Sequence, residues 1–277
     1  MSVQGRRPVV TLLTDYGITD EFAGVLHGVI ARLCPDARVI NLTHGVVRHD
    51  IRGGAAVLAQ SLPYMPVGVH LAVVDPTVGG DRRAVALRVA DGRILVGPDN
   101  GLLWPAAELG GGVEEAAEIS RSPWRLEPVS ATFHGRDIFA PVTAQLAAGA
   151  PLEEAGEPLD PGLLVRLETP RAWTEAGALV ATVNNADRFG NLQLGAGWDD
   201  IAGIGVGLGD LLQVRLPSGE LHPATFARTF SDVPEGKLIL FQDSAAKLAL
   251  GFNQGSAAIR LGLRPGDQLR IGVERDS

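Results

Sequence analysis

The chain opens with short apolar runs alternating with helical periods. Val9 to Leu13, apolar but for Thr11, suits a buried strand, and from Asp20 to Leu33 the residues Phe22, Val25, Leu26, Val29, Ile30 and Leu33 fall on one helical face. Arg38 to Leu42 reads as a second strand. Asp50 to Leu62 reads as a second helix, with Ile51, Ala55, Leu58 and Leu62 aligned, and Val69 to Val74 as a third strand. Repeated strand-helix-strand units predict a mainly parallel sheet covered on both faces. A hairpin follows, Arg83 to Val89 and Ile94 to Val96 around Asp91-Gly92, and then a short helix near Leu102 to Leu109 behind Asn100-Gly101. A last helix over Asp137 to Ala148 completes an α/β domain, residues 1–150.

The pattern then changes. Pro151, Pro158, Pro161 and Pro170 fall among acidic and small residues, which predicts a linker over 151–177. Beyond it, Leu179 to Val183, Leu211 to Leu216, Lys237 to Phe241, Lys247 to Gly251 and Gln268 to Val273 are short runs separated by turn signals such as Pro217-Ser218-Gly219. Short strands without long helices between them predict a smaller all-β, barrel-like domain over 178–277. Gly203, Gly205, Gly207 and Gly209 suggest a phosphate cradle at first sight. Neither dinucleotide nor Walker spacing is met, so the run reads as a loop.

Composition narrows the function classes. With 277 residues, 45% of them hydrophobic, the chain can fill a substantial core. A net charge of −8 supplies no broad basic field, so neither nucleic acid nor an anionic membrane is an expected partner. The single cysteine, Cys34, excludes an intrachain disulfide and fits a reducing, cytoplasmic setting. The apolar run after Arg6 and Arg7 breaks at Thr14-Asp15, short of a signal sequence or a membrane span.

Polar residues gather where the predicted strands end: Asp15 and Asp20 after the first, His44, His49 and Asp50 after the second, Asp75 after the third. A parallel sheet collects such ends in one crevice, where ligands bind. For each residue alone a plainer reading exists: Asp20 and Asp50 as helix caps, Asp15 as a brace for its own turn, Asp75 and Arg82 as an ion pair closing a turn. The same residues also allow a divalent-metal hydrolase that uses Asp15, Asp20, His44, Asp50 and Asp75 as hard ligands.

The segments TDYGITDEFAG, DPTVGGDRR, PDNGLL, TFHGRDIFAP and ADRFGN together resemble the S-adenosyl-L-methionine (SAM) hydroxide adenosyltransferases, hydrolytic relatives of the adenosyl-fluoride and adenosyl-chloride synthases. The resemblance implies a catalytic triad of an Asp, an Arg seven residues later and a distant His, matched here by Asp75, Arg82 and His134. The halogenases lack that His and commonly carry Tyr at the Asp position. Asp15 matches the carboxylate that holds the ribose hydroxyls, and Asp20 one near the methionine end. His49 stands where the fluorinating members have a stacking tryptophan. Asp187 and Asn191 match residues for the amino-acid ammonium and the adenine edge, with Phe189 beside them. Phe230 matches an aromatic at the adenine and Ser244 a hydroxyl at the methionine carboxylate. Phe252 and Gln254 fall where the family uses backbone groups, and Ala245 replaces a halogenase arginine.

The implied reaction is hydrolysis of SAM to adenosine and L-methionine at ribose C5′, without metal or cofactor, in a homotrimer with sites at subunit interfaces. Asp75 is expected to orient the attacking water and take its proton, and His134 to donate to Asp75 or pass the proton onward. A SAM- or nucleoside-binding protein without turnover is the remaining alternative.

Overall fold

The computed structural model describes residues 7–168 and 170–273. Residues 1–6, 169 and 274–277, which belong to the predicted domains and linker, lie outside that range. The chain divides into two compact units, 1–167 and 168–277, each with its own core.

The first unit begins β1 (Val9–Thr14), α1 (Phe22–Leu33), β2 (Arg38–Thr43), α2 (Ile51–Ser61) and β3 (Val69–Val73). The hairpin β4 (Ala84–Val89) and β5 (Ile94–Pro98), α3 (Trp104–Leu109) and β6 (Val113–Glu118) follow, then α4 (Ala140–Ala147) and the two-residue β7 (Glu157–Pro158). The sheet order is β2-β1-β3-β5-β4-β6-β7. The four strands from β2 to β5 run parallel, and β4, β6 and β7 add an antiparallel edge. Alternation along β1 and β3 sends Val10, Leu12, Val69 and Leu71 into a core with α1 and α4. Leu13, Ala72 and Val74 enter the core that holds α2 and α3 on the other face. The crossover from β1 goes to β2 on one side, while the next strand, β3, lies on the other. The strand order therefore reverses at β1, and in open α/β sheets the carboxyl ends at such a point form a crevice.

Much of the predicted linker packs onto the first unit. Leu152, Ala155 and Leu164 are buried, β7 pairs with β6, and the Val165 N–H donates to Asp99 Oδ1 at 2.9 Å. The prolines in this stretch serve short turns, with Pro151 and Pro161 each opening a single 3-10 turn. Arg83 ties the segment down by pairing with Asp99 at 2.6 Å and donating to the Leu163 carbonyl.

The second unit contains β8 (Trp173–Glu175), β9 (Ala178–Ala186), β10 (Leu192–Gly197), α5 (Trp198–Ala202), β11 (Leu211–Arg215) and β12 (Leu221–Phe226). β13 (Leu238–Gln242), β14 (Lys247–Phe252), α6 (Ala257–Leu261) and β15 (Gln268–Val273) complete it. Seven strands close into a barrel through the β9–β10 pairing, with β8 appended to β9. The glycine run 203–209 is a loop between α5 and β11. No helix among the described residues is long and apolar enough to cross a membrane.

Candidate active site

The ends of β1 and β3 and the loop after β2 border a cavity of about 420 Å³ in the first unit, a volume suited to a small molecule. Asp15, Asp20, His49 and Asp75 all line it, together with Arg48 and Tyr16. α1 begins without a side-chain cap, so Asp20 has no capping role. Asp15 reaches beyond its own turn, and its Oδ2 accepts the His49 N–H at 3.0 Å. His49 adopts a left-handed conformation, φ 67°, that turns this N–H inward.

Asp75 follows the end of β3, and two devices fix that end. Asn100 Nδ2 donates to the Val74 carbonyl at 2.9 Å, which explains the PDNGLL segment. The turn after Asp75 packs so closely on Ala131 that a Cβ at Gly79, φ +79°, would lie 2.2 Å from the Ala131 carbonyl oxygen. Arg82 closes the turn with a fork: Nε donates to Oδ1 at 3.1 Å and to Oδ2 at 2.9 Å, and Nη2 donates to Oδ2 at 2.5 Å. Both side chains are buried, 8% exposed for Arg82 and 5% for Asp75, so a forked, charge-assisted pair orients the carboxylate. The guanidinium also rests 5.2 Å from the centre of the Phe139 ring.

His134 bonds the guanidinium, with Nδ1 2.9 Å from Arg82 Nη2. That contact corrects the expectation that His134 donates to Asp75. Arg82 can only donate, so Nδ1 carries no proton and the neutral ring holds its hydrogen on Nε2. Burial, and then the positive charge of Arg82, lower the His134 pKa, which agrees with this tautomer. His134 immediately precedes a single π-type turn, Gly135–Phe139, ahead of α4, and makes no side-chain cap to it. Asp137 braces this turn, accepting from the Ser130 N–H at 2.8 Å and pairing with Arg136. The three residues thus form a chain in which Asp75 faces the cavity, Arg82 holds it, and His134 holds Arg82.

Three of the five residues of the metal-ligand reading are engaged with protein groups. Asp50 caps α2 by accepting from the Gly53 N–H at 2.9 Å. His44 bonds Thr14 through Nδ1 at 2.8 Å and Asn41 through Nε2 at 3.0 Å. Asp75 is committed to Arg82, and among the described residues no three His, Cys, Asp or Glu side chains group as metal ligands.

In the second unit the carried-over residues fall into separate places. Asp187 and Asn191 bind each other across the β9–β10 turn: Oδ1 of Asp187 accepts the Phe189 and Asn191 N–H groups at 2.9 Å, and Oδ2 accepts from Asn191 Nδ2 at 2.8 Å. Phe189 is exposed beside them. Asn191 and Phe230 converge over Gly251, where a Cβ would lie 2.6 Å from one and 2.7 Å from the other. Phe230 also packs on Phe241, with centroids 4.9 Å apart. Phe252, under the Arg260 guanidinium, ends β14, and Gln254 follows at φ 57°. Ser244 sits in the turn before β14, a strand's length from Phe252.

Residues 10–156 match the family model of the SAM hydroxide adenosyltransferase N-terminal domain, and residues 181–270 that of the C-terminal domain. The chain belongs to the SAM hydroxide adenosyltransferase family. It is 50% identical over 266 residues, 95% of this chain and 97% of the relative, to a protein of Salinispora arenicola named (R)-S-adenosyl-L-methionine hydrolase. It is 30% identical to a fluorinase of Nocardia brasiliensis across 98% of this chain and 99% of that protein. The crystal structure of an uncharacterized conserved protein from Thermotoga maritima superposes with a TM-score of 0.88 at 34% identity, covering 95% of this chain and 99% of that one. Among the cavity residues that sequence reasoning did not single out for the site are Tyr16 and Arg48, which bring polar groups to the wall, and Phe22, Phe133 and Gly135 beside them. Tyr16 lies within the TDYG segment, and a hydroxyl directly after a strand-end aspartate was the signal available.

Proposed function

We propose that this chain hydrolyses SAM to adenosine and L-methionine, with Asp75, Arg82 and His134 as its catalytic group. The observation that carries the reading is the Asp75 carboxylate at the cavity wall, with both oxygens set by the Arg82 fork. The sulfonium already makes methionine a good leaving group. The protein's task is to hold a water in line behind C5′, and such positioning is worth about 7 kcal/mol or more. The water oxygen forms the bond to C5′ as the C5′–S bond breaks. Sulfur keeps the electron pair and becomes the thioether of methionine, and the water's proton passes to Asp75 and on to solvent. Positive and developing negative charge cancel along this path, so a partly enclosed pocket favours it.

Asp15 holds the ribose hydroxyls in this reading, and Asp20 and His49 border the methionine side. Asp187, Phe189, Asn191, Phe230, Ser244, Phe252 and Gln254 contribute the remaining contacts to adenine and the amino acid. The (R) designation of the relatives supports the (R) sulfonium epimer as the preferred substrate. A homotrimer in the cytoplasm, with no cofactor, completes the proposal, and light scattering on the purified protein tests the assembly. Incubation with SAM in ¹⁸O-water tests the reaction. Label in the 5′-hydroxyl of adenosine is expected; unlabelled adenosine, or none, overturns the reading.

A further inference from the structure

Tyr16 is a cavity residue to which the reaction above gives no task. Its ring is wedged between Phe22 and Phe133, each 5.9 Å away between centroids, and its main-chain N–H donates to Thr14 Oγ1 at 3.2 Å. The ring therefore leaves the end of β1 in a fixed direction. Its hydroxyl lies directly over Gly135, where a Cβ would be 2.3 Å from the oxygen and 3.2 Å from Cζ. Gly135 adjoins His134, so the phenol oxygen reaches the segment that supplies the third member of the catalytic chain. No group among the described residues hydrogen-bonds this hydroxyl. A polar atom at a cavity wall with no protein partner is satisfied by whatever fills the cavity.

We propose that the Tyr16 hydroxyl is the second ligand of the attacking water, opposite Asp75. One O–H of the water goes to Asp75 and the other to the phenol oxygen, which leaves an oxygen lone pair for C5′. Burial and the neighbouring carboxylates of Asp15 and Asp75 raise the Tyr16 pKa, so the group stays a neutral phenol across the working range. A neutral phenol accepts the hydrogen bond without adding a third anion to the pocket. Gly135 leaves the room that the hydroxyl occupies, which couples the two positions. This assignment rests on the hydrolytic reading of the site.

The test is a double-mutant cycle of Tyr16→Phe and Gly135→Ala, with steady-state kinetics on SAM and a thermal melt of each variant. Phenylalanine keeps the three-ring cluster, so the single variant retains its fold. Tyr16→Phe is expected to lower kcat about ten- to a hundredfold with KM within about twofold. Gly135→Ala pushes the hydroxyl aside and lowers kcat to a similar degree. In the Tyr16→Phe background the same Gly135→Ala change costs less than about threefold, because the atom it displaces is gone. Wild-type kcat in Tyr16→Phe, a loss confined to KM, or strictly additive effects would each overturn the assignment while leaving SAM hydrolysis intact. Absence of adenosine from the unsubstituted protein would instead overturn the functional reading, and this assignment with it.

Discussion

Asp75 receives three N–H contacts from one side chain, so replacing its charge disturbs more than one bond. Asp75→Asn keeps the shape but turns an amide N–H toward the Arg82 donors or toward the water. Activity of this variant, followed as adenosine release, should fall about a hundredfold or more in kcat with little change in KM. An equal loss in both would make Asp75 a binding residue. His134 predicts a pH signature. Its neutral form accepts from Arg82, and burial beside that cation lowers its pKa, so protonation that breaks the contact occurs below about 6.5, the ordinary histidine value. The acid limb of the kcat profile attributable to His134 should therefore lie below that pH, and a limb above it would contradict the assigned tautomer. At this scale the sequence showed the Asp75–Arg82 spacing and the distant His134. It did not show that His134 attaches to the guanidinium, because that depends on how the π-type turn at Gly135–Phe139 presents the ring.

Among the elements, β1, β3 and α1 were legible because predominantly apolar, β-branched runs or a clean helical period marked them. β6, VEEAAE, carries no strand signal because its outer positions are glutamates and its buried ones alanines, and β10 and β12 carry glycine and proline that blur the alternation. β3 also carries an ionisable residue in its middle. His70 is fully buried; Nδ1 lies 2.9 Å from Thr11 Oγ1, and Nε2 has no hydrogen-bond partner. Burial first, and then Arg93, lower its pKa to about 4. Between about 6.5 and about 4 the unfolded chain binds a proton that the folded chain refuses, so this contribution is present above 6.5 and lost as pH falls through that window. Its size is at most about 3 kcal/mol. Urea titrations across that window should show His70→Gln losing less stability on acidification than the parent protein, and identical slopes would refute the account.

For the whole molecule, the division into an α/β unit and a seven-stranded barrel followed from the change in periodicity after Gly149. The proline-rich stretch misled because short turns and a linker share one composition, and only the burial of Leu152 and Leu164 separates them. Asp50 caps α2, His44 bonds Thr14 and Asn41, and Asp75 pairs with Arg82, so dialysis against EDTA should leave turnover unchanged. Loss of activity restored by a divalent ion would reverse that conclusion. Both halves of the Asp75–Arg82 pair come from the single turn between β3 and β4, eight consecutive residues hung on a sheet that needs none of them for its own core. The carboxylate and the guanidinium that holds it can thus be exchanged together as one short cassette without opening either core, whereas the imidazole of His134 arrives from a separate stretch of chain.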